Sequence, residues 1–112
     1  MAHQPVKGHL DLLALAILAQ GPKHGYAVIE ALRVRSNDAF DLPEGTVYPA
    51  LHRLEAAGAI TAEWSQSTGR RRKTYRLTED GRAALGEQTS KWKDFSAAVG
   101  LVLGGTPWPS AT

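Results

Sequence analysis

The sequence predicts a mainly α-helical chain with one small β-hairpin: a winged helix-turn-helix with a long C-terminal helix appended. Three patterns predict it. Apolar residues recur at steps of three and four in three successive stretches before residue 58, each closed by a helix-breaking signal. Two alternating stretches, 60–65 and 73–78, flank a basic, glycine-containing turn at 66–72, the form of a hairpin. After Thr78, Leu85, Gln88, Trp92, Phe95, Val99 and Val102 follow alternating steps of three and four, the seam of a coiled coil.

Each element can be justified in order. Residues 1–8 read as a flexible N-terminus, 9–78 as the winged-helix unit, 79–103 as a dimerisation helix and 104–112 as a flexible tail. The first helix, about Gly8 to Gln20, is apolar nearly all the way round and stops at Gly21-Pro22. One of its faces serves the chain's own core, and the other calls for a second chain. The second helix spans His24 to Ser36 with Tyr26, Ile29 and Leu32 inward, and Asn37-Asp38 break it. Phe40 and Leu42 are expected to plug the core on the way to the third helix. Asp41 stands three residues before Glu44, the spacing of a capping box, but Pro43 between them works against it and the helix is expected to settle by about Glu44.

The third helix, 44–57, gathers Val47, Ala50, Leu51, Leu54 and Ala57 on one side. Its other side carries Gly45, Pro49, His52, Arg53 and Ala56, flanked by Thr46 and Tyr48. Small residues permit close approach to a partner and the donors can then grip or read it, which points to a helix entering a nucleic-acid groove. Gly58 ends the helix. In the hairpin, Tyr75 and Leu77 share a face, and Trp64 is expected in the hairpin core. Thr78 is a good N-cap and Glu79-Asp80 suit the positive end of the last helix. Gly81, Gly86 and Gly100 each weaken that helix by ~1 kcal/mol relative to alanine, so it needs packing support.

Composition sets the frame for function. At 112 residues and 43% apolar content a single folded domain is expected, with a core modest enough that dimerising would help. The net charge of +2 argues only weakly for nucleic acid, so the distribution of charge must carry the case. The distribution does. Arg70, Arg71, Arg72, Lys73 and Arg76 place five of the 13 basic residues within seven positions, with no acid among them. The absence of cysteine excludes disulfides and thiolate metal sites. The four histidines show neither metal-ligand spacing nor a partnered nucleophile, and the glycines punctuate helices singly, so catalysis, a metal and a cofactor are not expected. The run Leu10–Ala19 is too short to span a bilayer, the N-terminus does not resemble a signal peptide, and a cytoplasmic protein is the reading.

The contact residues follow. Arg70, Arg71, Arg72 and Lys73 are expected on a wing lying along duplex DNA, either on the backbone or in the minor groove. Thr46 and Tyr48 can bond phosphates, with packing of Tyr48 against the second helix as the alternative, and His52 and Arg53 can reach base edges or phosphates, with Gly45 and Pro49 allowing the approach. Lys23, His24 and Tyr26, near the start of the second helix, are candidates for phosphate contacts; Tyr26 has a core role as an equal alternative. Leu10, Leu13 and Ile17 with Leu85, Gln88, Trp92, Phe95 and Val99 form the expected dimer interface.

The quoted pieces together resemble the PadR family of transcriptional regulators, in its small type with a single C-terminal helix. They are His24-Gly25-Tyr26, then Gly45-Thr46-Val47-Tyr48-Pro49-Ala50-Leu51 with Arg53-Leu54-Glu55, then Gly58-Ala59-Ile60, and the run from Gly69 through Lys73-Thr74-Tyr75 to Gly81. The resemblance covers about residues 10 to 103. It implies a homodimeric DNA-binding repressor that pairs through its first and last helices and answers to a small aromatic or hydrophobic effector. Glu44 departs from the neutral residue of many relatives, which leaves the operator sequence open. Trp92 reads in two ways: as packing in the dimer seam, or, with Phe95, as a wall that sandwiches a flat effector, as in drug-sensing relatives. The alternatives to a repressor are a winged-helix module that binds protein and an enzyme or small-molecule binder without DNA. Trp108 has no assigned role.

Overall fold

The structure, a computed structural model, describes residues 9–67 and 69–104. The expected flexible ends, 1–8 and 105–112 with Trp108, lie outside the described residues. Among the described residues four helices and three strands follow in the order α1 Leu10–Leu18, β1 Lys23–His24, α2 Gly25–Arg35, α3 Glu44–Ala56, β2 Ile60–Ser67, β3 Arg70–Leu77 and α4 Glu79–Gly104. The fold is thus mostly helical with a small antiparallel sheet of order β1-β3-β2, as a winged helix requires.

Helix α1 supplies the centre of the core through Leu10, Ala14, Leu15, Ile17 and Leu18, all buried. Val28, Ile29 and Leu32 of α2 and Val47, Ala50, Leu51 and Leu54 of α3 close on it, and Ile60, Tyr75 and Leu77 roof it from the sheet. Three helix stripes and a sheet face bury one another because none can hide its apolar side alone. Leu42 is buried and Phe40 packs against the core, as expected of the linker.

The turn after α2 is built by residue types that tolerate it. Asn37 and Asp38 take left-handed conformations, φ 58° and 71°, which short polar side chains adopt most readily after glycine. Asp38 donates its amide to the Arg33 carbonyl at 2.8 Å and accepts from the Arg33 guanidinium at 2.8 Å. Helix α3 starts differently from the expected capping box. Its N-cap is Pro43 in an extended conformation with no side-chain cap, because the chain enters the helix only after the proline and leaves Asp41 behind. Ala57, expected inward, is the exposed C-cap residue.

Two further differences concern the sheet. His24 does not open α2 but forms β1 with Lys23, pairing with Thr74 and Tyr75 of β3. The hairpin strands run longer than the alternation suggests, with Ser67 opposite Arg70. Arg70, Arg71 and Arg72 therefore lie on β3 itself rather than in the turn, and alternate between its faces.

Helix α4 leaves the sheet along a fixed path. The Thr78 hydroxyl accepts from the Gly81 amide at 3.0 Å, the expected cap, and turns its proton toward the Gly58 and Ala59 carbonyls at 2.7 and 2.8 Å. Gly81 sits so close to the Ala59 carbonyl that no Cβ fits there. Among the described residues no helix is long and apolar enough to cross a membrane.

Candidate nucleic-acid interface

Helix α3 buries its apolar stripe and turns Gly45, Pro49, His52 and Arg53 outward, all exposed, with Thr46 and Tyr48 half-buried at the flanks. Tyr48 is held by α2: its ring lies against Gly25, where a side chain would collide with it. Burial foremost, then Glu44 and Tyr75, raises the Tyr48 phenol above its ordinary 10.0. It therefore stays a neutral hydrogen-bond donor at neutral pH.

Helix α2, helix α3 and the wing enclose an open cleft of about 870 Å³, with His24, Tyr26, Tyr48, His52, Trp64 and Arg71 among its walls. Arg70, Arg72 and Lys73 also line it, and so do Glu30 and Tyr75. Eight of the residues singled out from the sequence are thus brought to one place: His24, Tyr26, Tyr48, His52, Arg70, Arg71, Arg72 and Lys73. Lys23, Gly45, Thr46, Pro49 and Arg53 lie outside the cleft lining. Arg53 is tied back to α1 by an ion pair to Asp11 at 2.7 Å. Lys73 is paired with Glu55 of α3 at 3.2 Å, which raises its pKa above the ordinary lysine value. Arg70, Arg71 and Arg72 form no ion pair among the described residues.

Two aromatic side chains depart from expectation. Tyr26 is 60% exposed rather than inward, because the inner face of α2 is taken by Gly25, Val28, Ile29 and Leu32. Trp64 is 55% exposed rather than in a hairpin core, because the helices underlie only the base of the hairpin. Its indole instead carries the Arg71 guanidinium at 4.4 Å, with the Lys73 ammonium 5.8 Å away. Strand alternation fixes the face on which Trp64 stands, but not that the core ends before it. Glu55 stands in the sequence only as part of the Arg53-Leu54-Glu55 motif, and its pairing with Lys73 across the fold follows from no spacing along the chain.

A second, smaller hollow of about 260 Å³ opens between α1 and α4, lined by His9, Leu12, Gln88, Lys91, Trp92 and Phe95. Trp92 meets His9 edge to face at 5.2 Å and Phe95 at 6.2 Å. Of the expected pairing residues, Leu10 and Ile17 are 4% exposed and belong to the chain's own core, a correction that follows from their burial under the sheet and α2. Leu13, Leu85 and Gln88 are half-buried, while Trp92, Phe95 and Val99 stay exposed.

The comparisons with known proteins agree with this architecture. Residues 14–87 match the family described as the transcriptional regulator PadR-like family. A transcriptional regulator of Mycobacterium tuberculosis is 38% identical over 87 residues, covering 78% of this chain and 76% of that one. The crystal structure of a PadR family transcription regulator from Clostridium difficile superposes with a TM-score of 0.74 at 35% identity, covering 86% of this chain and 99% of that one. A PadR-like transcriptional regulator of Bacillus cereus gives 0.79 at 30% identity, with 92% and 99% covered. A winged helix with these residues at these places, matched over most of its length, belongs to the PadR-like family of transcriptional regulators.

Proposed function

We propose that the chain is a DNA-binding repressor that holds an inverted-repeat operator as a homodimer. The observation that carries this reading is the convergence of Arg70, Arg71 and Arg72, which form no ion pair among the described residues, with Tyr48 and His52 of α3 on one open cleft. Helix α3 enters the major groove with His52 leading. Arg53, at the end of that face, exchanges Asp11 for DNA, a small cost because exposed ion pairs contribute ~0–1 kcal/mol. The wing arginines take backbone phosphates or the neighbouring minor groove, and the Tyr48 hydroxyl and the start of α2 hold a phosphate between them. Half-sites then lie about one helical turn, or a multiple of it, apart. No catalytic role is assigned to any residue.

Selection of bound duplexes from a random pool tests the reading. Enriched inverted repeats, bound with an affinity that falls steeply as salt rises, are expected; no enrichment, or binding indifferent to salt, would overturn it in favour of a protein-binding module. The hollow beside Trp92 and Phe95 supports a small aromatic or hydrophobic effector between the two subunits, acting by preferring one separation of the reading helices. Planar aromatics should quench tryptophan fluorescence of the protein and not of the Trp92→Ala variant; equal quenching of both would remove the effector from this site.

A further inference from the structure

An exposed indole on a hairpin needs a reason, since it buries no core. Trp64 stands directly across from Lys73 and diagonally from Arg71, on the sheet face that turns toward α2 and α3. Both cations lie over aromatic rings. The Arg71 guanidinium is 4.4 Å from the Trp64 ring, and the Lys73 ammonium is 5.8 Å from Trp64 and 5.3 Å from Tyr75. Lys73 is anchored in turn by Glu55 on α3 at 3.2 Å. A continuous chain of contacts therefore runs from α3 through Glu55, Lys73 and Trp64 to Arg71.

The two cations differ in what they leave free. Lys73 is only about a quarter exposed and already has an acidic partner. Arg71 has no acidic partner among the described residues, and its guanidinium carbon lies over the Trp64 ring. The N–H edge of a stacked guanidinium remains available for two parallel hydrogen bonds to an anion. Stacking also removes rotamer freedom before any partner arrives, so less is lost on binding.

We infer that Trp64 is a positioning residue of the wing, holding Arg71 flat on its indole so that the guanidinium edge meets a backbone phosphate of duplex DNA in the cleft. This rests on the DNA-binding reading above and adds to it a cause for the exposed tryptophan. Arg70 and Arg72 alternate with Arg71 along β3 and reach the cleft without a ring contact to Trp64, so they do not depend on it.

Duplex titrations across a range of salt concentrations test the inference with Trp64→Ala, Trp64→Thr, Trp64→Phe, Arg71→Ala and the double variant Trp64→Ala with Arg71→Ala. Trp64→Thr suits an exposed strand position and keeps the experiment informative if the alanine variant unfolds. Arg71→Ala should lower the salt slope by about 0.9, the share of one phosphate contact. Removing the indole should weaken binding about two- to fivefold, the range of an exposed cation–aromatic contact. In the double variant the losses should not add, because Trp64 acts through Arg71. Trp64→Phe should restore binding, since it returns a flat ring. Additive losses, wild-type affinity in Trp64→Thr, or a phenylalanine variant as weak as the threonine one would overturn the assignment. If wild-type protein bound duplex DNA without salt dependence, the DNA-binding reading itself would fail; if Arg70→Ala with Arg72→Ala weakened binding while the Trp64 variants did not, only the present inference would.

Discussion

Tyr48 shows how one residue serves fold and surface together. Its ring fills the space left by the missing side chain of Gly25, fixing α3 against the start of α2, while its hydroxyl edge faces the cleft. Burial, then the Glu44 carboxylate, then Tyr75, keeps the phenol protonated above its ordinary 10.0. The folded chain thus binds that proton more tightly than the unfolded chain does. Tyr48 contributes its stability fully below pH 10, and the contribution fades as pH rises through the raised folded value. In an absorbance titration of phenolate, the component missing from Tyr48→Phe should be one that ionises above pH 10; a missing component at or below that value would contradict the geometry. The unfolding free energy of the variant should also fall less steeply as pH rises above 10 than that of the wild type, as denaturant titrations can show. At neutral pH the same group is a donor, as a phosphate contact needs.

At the scale of elements, α4 depends on how it leaves the sheet. Glycine in a helix is ordinarily a weakness, and the sequence alone reads Gly81 and Gly86 alike. The structure separates them. A Cβ on Gly81 would meet the Ala59 backbone carbonyl, which cannot swing away, whereas nothing lies within 4 Å of a Cβ on Gly86. Gly81→Ala should therefore destabilise the fold by ~1–3 kcal/mol through overpacking. Gly86→Ala should stabilise it by ~0.5–1 kcal/mol through propensity. Thermal melts of the two variants should move in opposite directions, and a stabilised Gly81→Ala would show that the launch of α4 is looser than its contacts imply. The same contrast marks what was legible in the sequence. Helices α1 to α3 and the cap at Thr78 follow from period and capping chemistry. The two-residue strand β1 carries no pattern to find. The hairpin is longer than its alternation shows, because an arginine run has the composition of a turn until its partner strand is in place. Exposure of Tyr26 and Trp64 depends on where the core stops, and periodicity fixes only the side a residue faces.

The whole molecule leaves an unfinished surface. The described chain measures 56 × 28 × 27 Å, and α4, 26 residues and so about 39 Å long, accounts for the elongation. Its first turns rest on the core through Ala84 and Leu85. Farther along, Phe95 is 59%, Leu101 61%, Val102 86% and Leu103 69% exposed. Apolar side chains grouped on one projecting helix mark an interface rather than a solvated face, and the coiled-coil spacing of Trp92, Phe95, Val99 and Val102 suits a second copy of the same helix. Burial also sharpens the expected pairing surface: with Leu10 and Ile17 committed to the chain's own core, α1 can offer only residues such as Leu12 and Leu13, which are half-buried. Sedimentation velocity at micromolar concentration should therefore show a dimer. Phe95→Glu combined with Val102→Glu should yield a folded monomer, because both side chains are exposed in the single chain and lie outside its core, Phe95 giving up only its contact with the Trp92 ring. That monomer should keep its affinity for an isolated half-site and lose the gain that a second half-site gives the dimer, since linking two weak contacts raises avidity without changing either one. A double variant that still sediments as a dimer would move the interface off α4, and with it the geometry that sets the two reading helices one turn of duplex apart.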